Sequence, residues 1–176
     1  MRTLEIRRHS HRHVPHPHLS QTGVELARRV GEGLDRFDRV VASTMPRAFE
    51  TAIAMGFAVD EQIEQLSLMS DDVAVVISWN AGYAAWAQAA QSDPVVARYT
   101  QALGSLLRSI MRALPDDGRA LIISHGGIVE ASTIGCLPPG MPIGGAACGY
   151  CEGLRLTFDD ETLIQVEVPR VEQPEI

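Results

Sequence analysis

The sequence predicts a single α/β domain, with a mostly parallel central sheet and helices on both faces. Three observations carry this expectation. Short apolar strands alternate with segments of helical period along the chain. One strand, Arg119 to Ser124 (RALIIS), is apolar almost throughout, as a strand covered on both faces requires. The length of 176 residues suits one domain, which at this size buries about two-thirds of its unfolded surface.

Thr3 to Arg7 reads as the first strand, and His9 to His18 as a loop dense in His, Arg and Pro. Leu19-Ser20-Gln21-Thr22-Gly23 opens a helix, with Ser20 or Thr22 as candidate N-cap. Val24, Leu26, Ala27, Val30 and Leu34 then recur at helical spacing. Arg39 to Ala42 forms a second short strand ending at Ser43-Thr44. Pro46 suits the first turn of a helix running to about Met55. Residues 57–93 read as a short cap-like insertion, in which Glu61 to Met69 and Asp72 to Ala90 are both expected to be helical. Asp93-Pro94 starts a long amphipathic helix to about Leu114. Pro115-Asp116-Asp117-Gly118 is a turn into the third strand, and Gly126-Gly127 breaks that strand before a helix from Ile128 to Ile134. Two late strands, near Leu154–Phe158 and Leu163–Val168, make a hairpin around Asp159-Asp160-Glu161. Residues 169–176 form a polar tail expected to fray. There is no internal repeat.

Composition removes several chemistries. All 15 basic residues are Arg and none is Lys, which excludes a Walker-A lysine, a Schiff-base lysine and a pyridoxal-phosphate anchor. Phosphate, if bound, must be held by Arg, His and backbone N–H groups. A net charge of −7 argues against a nucleic-acid surface, so no nucleic-acid partner is expected. No apolar run has the length of a signal peptide or a membrane span, which points to the cytoplasm and to no membrane partner. The three cysteines, Cys136, Cys148 and Cys151, do not suggest a disulfide framework. Cys148-Gly149-Tyr150-Cys151 has C-x-x-C spacing but no second pair, so reduced packing cysteines are expected rather than a redox or zinc site.

In α/β sheets, chemistry gathers where strands end and helices begin. Three strand ends carry unusual residues: Arg8-His9, Ser43 to Arg47, and His125-Gly126-Gly127. In this order they resemble the histidine phosphatase superfamily, the phosphoglycerate-mutase-like fold. Ile6-Arg7-Arg8-His9-Ser10 resembles the family's Arg-His-Gly signature. Leu19 to Ala27 resembles its Leu-Thr/Ser-x-x-Gly-x-x-x-Ala helix start. Ser43-Thr44-Met45-Pro46-Arg47-Ala48-Phe49-Glu50-Thr51-Ala52 resembles its Ser-x-x-x-Arg-Ala-x-x-Thr-Ala segment. Ile122-Ile123-Ser124-His125 resembles the strand end that bears its second histidine. Ser10 departs from the signature glycine, and is read either as crowding a bound phosphate or as donating to it. Arg12 is similar to the Arg-His-Gly-x-Arg pattern of the acid-phosphatase branch, whereas Gly126 stands where that branch has Asp.

The residues themselves fit this chemistry. A phosphomonoester carries about −1.5 to −2 charges near neutral pH. Arg8 and Arg47 each offer a planar fork matched to phosphate oxygens. Arg12, Ser10 and Gly126 are further candidates for substrate binding. His9 is the candidate nucleophile, and His125 the candidate second histidine. A leaving oxygen needs a proton, and among Glu61, Glu64, Asp71 and Asp72, Glu64 best matches the family's placement of the general acid. His9, His11, His13, His16 and His18 hold five of the six histidines. They alternate along an extended loop without a carboxylate or thiol, so the expectation is no metal and no cofactor, and a basic mouth instead. The resemblance implies a cofactor-independent phosphatase acting on a phosphorylated small molecule or phosphoprotein through a phosphohistidine intermediate. A mutase-type phosphoryl transfer and a non-catalytic phospho-ligand-binding member stay open as alternatives, as does the oligomeric state.

Overall fold

The computed structural model describes residues 1–138 and 141–174. A six-stranded sheet runs through the centre. Its strands are β1 (Arg2–Arg8), β2 (Arg39–Ser43), β3 (Glu61–Ile63), β4 (Arg119–Ser124), β5 (Gly153–Asp159) and β6 (Thr162–Glu167), in the order β3-β2-β4-β1-β5-β6. The first four strands in that order are parallel. β5 runs antiparallel to β1, and β6 antiparallel to β5.

Helices cover both faces. On one face lie α1 (Gln21–Gly31) and α2 (Pro46–Ala54), whose Leu26, Ala27, Ala48 and Ala52 pack on Val40, Ala42, Leu121 and Ile123. On the other lie α3 (Asp71–Val76), α4 (Tyr83–Ser92), α5 (Pro94–Arg112) and α6 (Ile128–Cys136). They bury Trp86, Leu103, Leu107 and Val129 against Leu4, Ile6, Val41 and Ile122. The alternation of β1 is therefore complete: Leu4 and Ile6 face the larger core, and Glu5 and Arg7 face the opposite side.

Local chemistry fixes the helix starts. Ser20 caps α1, its Oγ accepting from Gly23 N–H at 3.1 Å. Pro46 occupies the first turn of α2, and Asp93 caps α5 through Val95 and Val96 N–H. Gly23 is required by close approach, since a Cβ there would lie 2.0 Å from the His11 carbonyl oxygen.

Two expectations need correction. Glu61 to Met69 is not a helix: Glu61–Ile63 add an edge strand beside β2, and Glu64–Leu66 form a single 3₁₀ turn. Asp72 to Ala90 is likewise broken between α3 and α4, where Gly82 takes φ +85°. The tail, where described, is docked rather than frayed. Val171 N–H and the Arg170 guanidinium both donate to the Glu152 carboxylate, and Arg29 donates to the Glu172 carbonyl at 2.7 Å.

Candidate active site

β1 and β4 are adjacent parallel strands, but the helices that follow them go to opposite faces. α1 leaves β1 for one side, and α6 leaves β4 for the other. This divergence opens a crevice at the carboxyl ends of the two strands, where α/β sheets bind ligands. A cavity of about 390 Å³ lies there. Arg8, His9, Arg12, Arg47, His125 and Gly126 line it, together with Val14, Trp79 and Tyr150. A larger cavity of about 570 Å³, between α4, α5 and α6, is lined by Ala, Gln, Thr and aliphatic residues and carries no titratable side chain.

His9 sits one residue beyond β1, with its backbone N–H bound to the Ser124 carbonyl at 2.8 Å. Its Nδ1 lies 2.7 Å from the Ser10 carbonyl oxygen, a contact only an N–H can satisfy. The proton is therefore on Nδ1, and Nε2 keeps its lone pair. That lone pair accepts from Arg47 Nε at 3.1 Å. Burial, His125 and the neighbouring guanidinium groups push the His9 pKa down to about 2, so the ring is neutral at pH 7. His125 packs edge-on to His9, with ring centroids 5.0 Å apart. Burial and the three pocket arginines lower its pKa to about 3. Its Nε2 meets Ser43 Oγ at 2.7 Å, while Nδ1 is buried without a protein partner.

The arginines are placed by different means. Arg8 ends β1, and its guanidinium carbon stands 4.2 Å from the centre of the Tyr150 ring and 5.0 Å from that of Trp79. One of its Nη atoms donates to the Cys148 carbonyl at 2.8 Å, and Nε is buried without a protein partner. Arg47 lies in the first turn of α2. The first N–H groups of that helix are already taken, by the Pro17 and Met45 carbonyls, so anion binding there falls to side chains. Arg12 is half-exposed and donates to the Pro15 and His16 carbonyls at 3.5 and 3.3 Å. None of the three pairs with a carboxylate among the described residues.

Other sequence expectations land elsewhere. Ser10 is fully buried and does not line the cavity. Its Oγ donates to the Gly23 carbonyl at 2.7 Å, and its N–H donates to Thr51 Oγ1 at 2.9 Å. It neither crowds nor contacts the anion site, contrary to both readings of the signature departure. Glu64 is exposed on the 3₁₀ turn after the edge strand. Two strands separate β3 from β1, and Glu64 does not line the cavity. Of the histidine-rich loop, His9 and His11 are buried, His13 and His16 are exposed, and His18 pairs with Glu50. Burial lowers the His11 pKa, and the cavity is lined by three arginines and, of this loop's histidines, by His9 alone. Among the described residues, no three His, Cys, Asp or Glu side chains are grouped to hold a metal.

Sequence reasoning missed three residues. Trp79 lies in the connection between α3 and α4, against Gly126 and Gly127, and a Cβ on Gly126 would come within 2.9 Å of its ring. Tyr150 stacks on His11, with ring centroids 3.8 Å apart. Glu130 is fully buried in the first turn of α6 and accepts from Gly127 N–H at 2.7 Å and from Cys148 N–H at 2.8 Å. It ties the His125 loop to the segment whose carbonyl holds Arg8. Burial raises its carboxyl pKa. The C-x-x-C cysteines are buried free thiols, with pKa values pushed up to about 12 for Cys148 and about 11 for Cys151. Such thiols are poor nucleophiles and poor metal ligands.

Comparison with known proteins gives the same fold. A search of curated proteins gave no match. Among solved structures, a phosphoserine phosphatase from Entamoeba histolytica, in complex with 3-phosphoglyceric acid, superposes with a TM-score of 0.71 at 15% identity, covering 98% of this chain and 99% of that one. A mycobacterial glucosyl-3-phosphoglycerate phosphatase gives 0.61 at 19% identity, covering 99% of both chains. The protein histidine phosphatase SixA, complexed with tungstate, gives 0.54 at 18% identity, covering 94% and 96%. At such identities these likenesses establish the fold. The family model for branch 1 of the histidine phosphatase superfamily matches residues 4–164, nearly the whole chain, and the chain belongs to that superfamily.

Proposed function

We propose that this protein is a cofactor-independent phosphatase that hydrolyses a phosphomonoester through a phosphoryl group held on His9. One observation carries the reading: three arginines without carboxylate partners line one cavity with a neutral histidine whose Nε2 lone pair is engaged by Arg47. Eight of the other twelve arginines pair with a carboxylate or share one in a cluster. Leaving Arg8, Arg12 and Arg47 unpaired beside one another costs the fold electrostatic energy, and an anion recovers it.

Substrate phosphate displaces the Arg47–His9 contact, and the Arg8 and Arg47 forks take the equatorial oxygens. His9 Nε2 attacks phosphorus while Nδ1–H stays on the Ser10 carbonyl, which holds the ring as imidazolium charge develops. His125 Nδ1, buried and unpartnered, supplies a further donor. Water then attacks the phosphohistidine and releases phosphate. The connection between α3 and α4 brings Trp79 to the mouth. The open mouth suits a phosphorylated small molecule or a phosphorylated side chain on a protein. The three free, buried thiols support a cytoplasmic location.

The test is turnover of p-nitrophenyl phosphate with a rapid acid-avoiding quench. Wild-type enzyme is expected to release p-nitrophenol and to carry an acid-labile, base-stable phosphoryl group. His9→Ala is expected to lose both, by about 10⁴-fold or more in kcat. Robust turnover by His9→Ala, within about twofold of wild type, removes the nucleophile assignment.

A further inference from the structure

An alkyl phosphate leaves as an alkoxide unless something protonates its oxygen, and no carboxylate lines this cavity. Glu130 is sealed beneath it with both oxygens engaged, and Glu64 stands at the sheet edge. Resting on the phosphatase reading above, we propose that the Tyr150 hydroxyl is the general acid that protonates the leaving oxygen.

Four observations place it. Tyr150 lines the same cavity as both histidines and all three arginines. Its ring lies 6.0 Å from that of His9. The turn that carries it is pinned to Arg8 at both ends: Arg8 donates to the Cys148 carbonyl at 2.8 Å, and Cys151 N–H donates to the Arg8 carbonyl at 3.1 Å. The face of its ring rests on the Arg8 guanidinium, 4.2 Å away. Among the described residues lining the cavity, it carries the one hydroxyl. A phenol O–H carries the proton that a general acid must give.

The step balances. The His9 Nε2 lone pair forms the N–P bond as the P–O bond to the leaving group breaks. The leaving oxygen keeps that bond's electron pair, takes the Tyr150 proton and departs as an alcohol. Alkoxides are far more basic than phenolate, so the transfer runs downhill, and Arg8 and Arg47 stabilise the phenolate left behind. In the second half, phenolate takes a proton from the attacking water. The water oxygen bonds to phosphorus as the N–P bond breaks, its electron pair returns to Nε2, and Tyr150 is restored.

Tyr150→Phe keeps the ring, and with it the stacking on Arg8 and His11. The experiment compares kcat/KM of wild type and Tyr150→Phe on p-nitrophenyl phosphate, whose leaving group needs no proton, and on 2-glycerol phosphate, whose leaving group does. The variant is expected to lose about 10²–10³-fold on the alkyl ester and to stay within about threefold on the aryl ester. Equal changes on the two esters, or none on either, would overturn the proposal. So would a wild-type enzyme that cleaves only the aryl ester, since an acid in place must serve both. Absence of wild-type turnover on the aryl ester, with no phosphoryl group on His9, would instead strike the phosphatase reading itself and take the role of Tyr150 with it.

Discussion

Arg7 and Arg8 are neighbours on one strand and have opposite fates. Arg7 points to the α1–α2 side, donates from Nε to Glu5 at 2.6 Å and from a terminal nitrogen to the Cys151 carbonyl at 2.6 Å, and is almost fully buried. Glu5 also accepts from Arg155 at 2.9 Å, so the charge cluster is closed. Arg8 points to the other side, at the crevice, with aromatic rings and a carbonyl for partners but no carboxylate. The strand alternation alone separates the two. What separates the two arginines here is whether the charge is already answered by a carboxylate.

The largest test of that contrast exchanges the two positions' roles. Arg7→Ala leaves Glu5 buried with only the rim residue Arg155 to answer it, and is expected to cost about 3–5 kcal/mol of stability. Thermal melts should show a large fall, while kcat/KM of the remaining folded protein changes little. Arg8→Ala is expected to do the reverse: a melting temperature close to wild type, and a fall of about 10²–10³-fold in kcat/KM. Similar profiles for the two variants would break the distinction.

Much of this contrast was legible in the sequence, because its carriers obey local rules. Ser20, Pro46 and Asp93-Pro94 sit where capping chemistry requires them, and RALIIS could only be a buried strand. These fixed β1, β2 and β4, and with them the ends that bear Arg8, His9, Arg47 and His125. What was not legible lacks a local signature. Glu61–Ile63 form a strand of three residues with two of them exposed, so no alternation announces it. Trp79 and Tyr150 lie in connections without periodicity and reach the cavity only through tertiary packing. The partner of the Ser10 hydroxyl, Gly23, lies thirteen positions along and approaches only once α1 folds back.

The next test bears on Arg47, whose Nε donates to His9 Nε2. Arg47→Lys keeps the charge but loses the fork, and is expected to cost about 2–3 kcal/mol of transition-state binding. An unchanged kcat/KM would remove Arg47 from the phosphate site. The histidines add a pH signature. With folded pKa values lowered to about 2 and about 3 from an unfolded value near 6.5, the unfolded chain binds protons that the native chain excludes. Stability should therefore be constant with respect to these groups above about pH 6.5. It should fall on acidification below that, by up to about 1.4 kcal/mol per pH unit for each histidine. Saturating phosphate should flatten the fall, because a bound anion favours the protonated rings. Chemical denaturation between pH 7 and 5, with and without phosphate, measures both. A stability independent of pH across that window would mean that the rings are solvated rather than held neutral.

The smallest expected effect concerns Ser10, which shares with Arg7 a place on the side of β1 away from the cavity. Its hydroxyl donates to the Gly23 carbonyl, and its N–H donates to Thr51, so it joins the loop after β1 to both α1 and α2. Ser10→Gly deletes one of these bonds, leaves the Gly23 carbonyl with one donor fewer, and adds backbone freedom to the unfolded chain. Together these are expected to cost about 1–2 kcal/mol, read as a drop of several degrees in melting temperature. The anion site loses no donor, so kcat/KM on p-nitrophenyl phosphate should stay within about threefold of wild type. A tenfold fall at unchanged stability would show that the hydroxyl leaves Gly23 for the substrate during turnover, and a rise would show that it obstructs the phosphate. Either result would move Ser10 from the structural side of the contrast, with Arg7, to the side of Arg8.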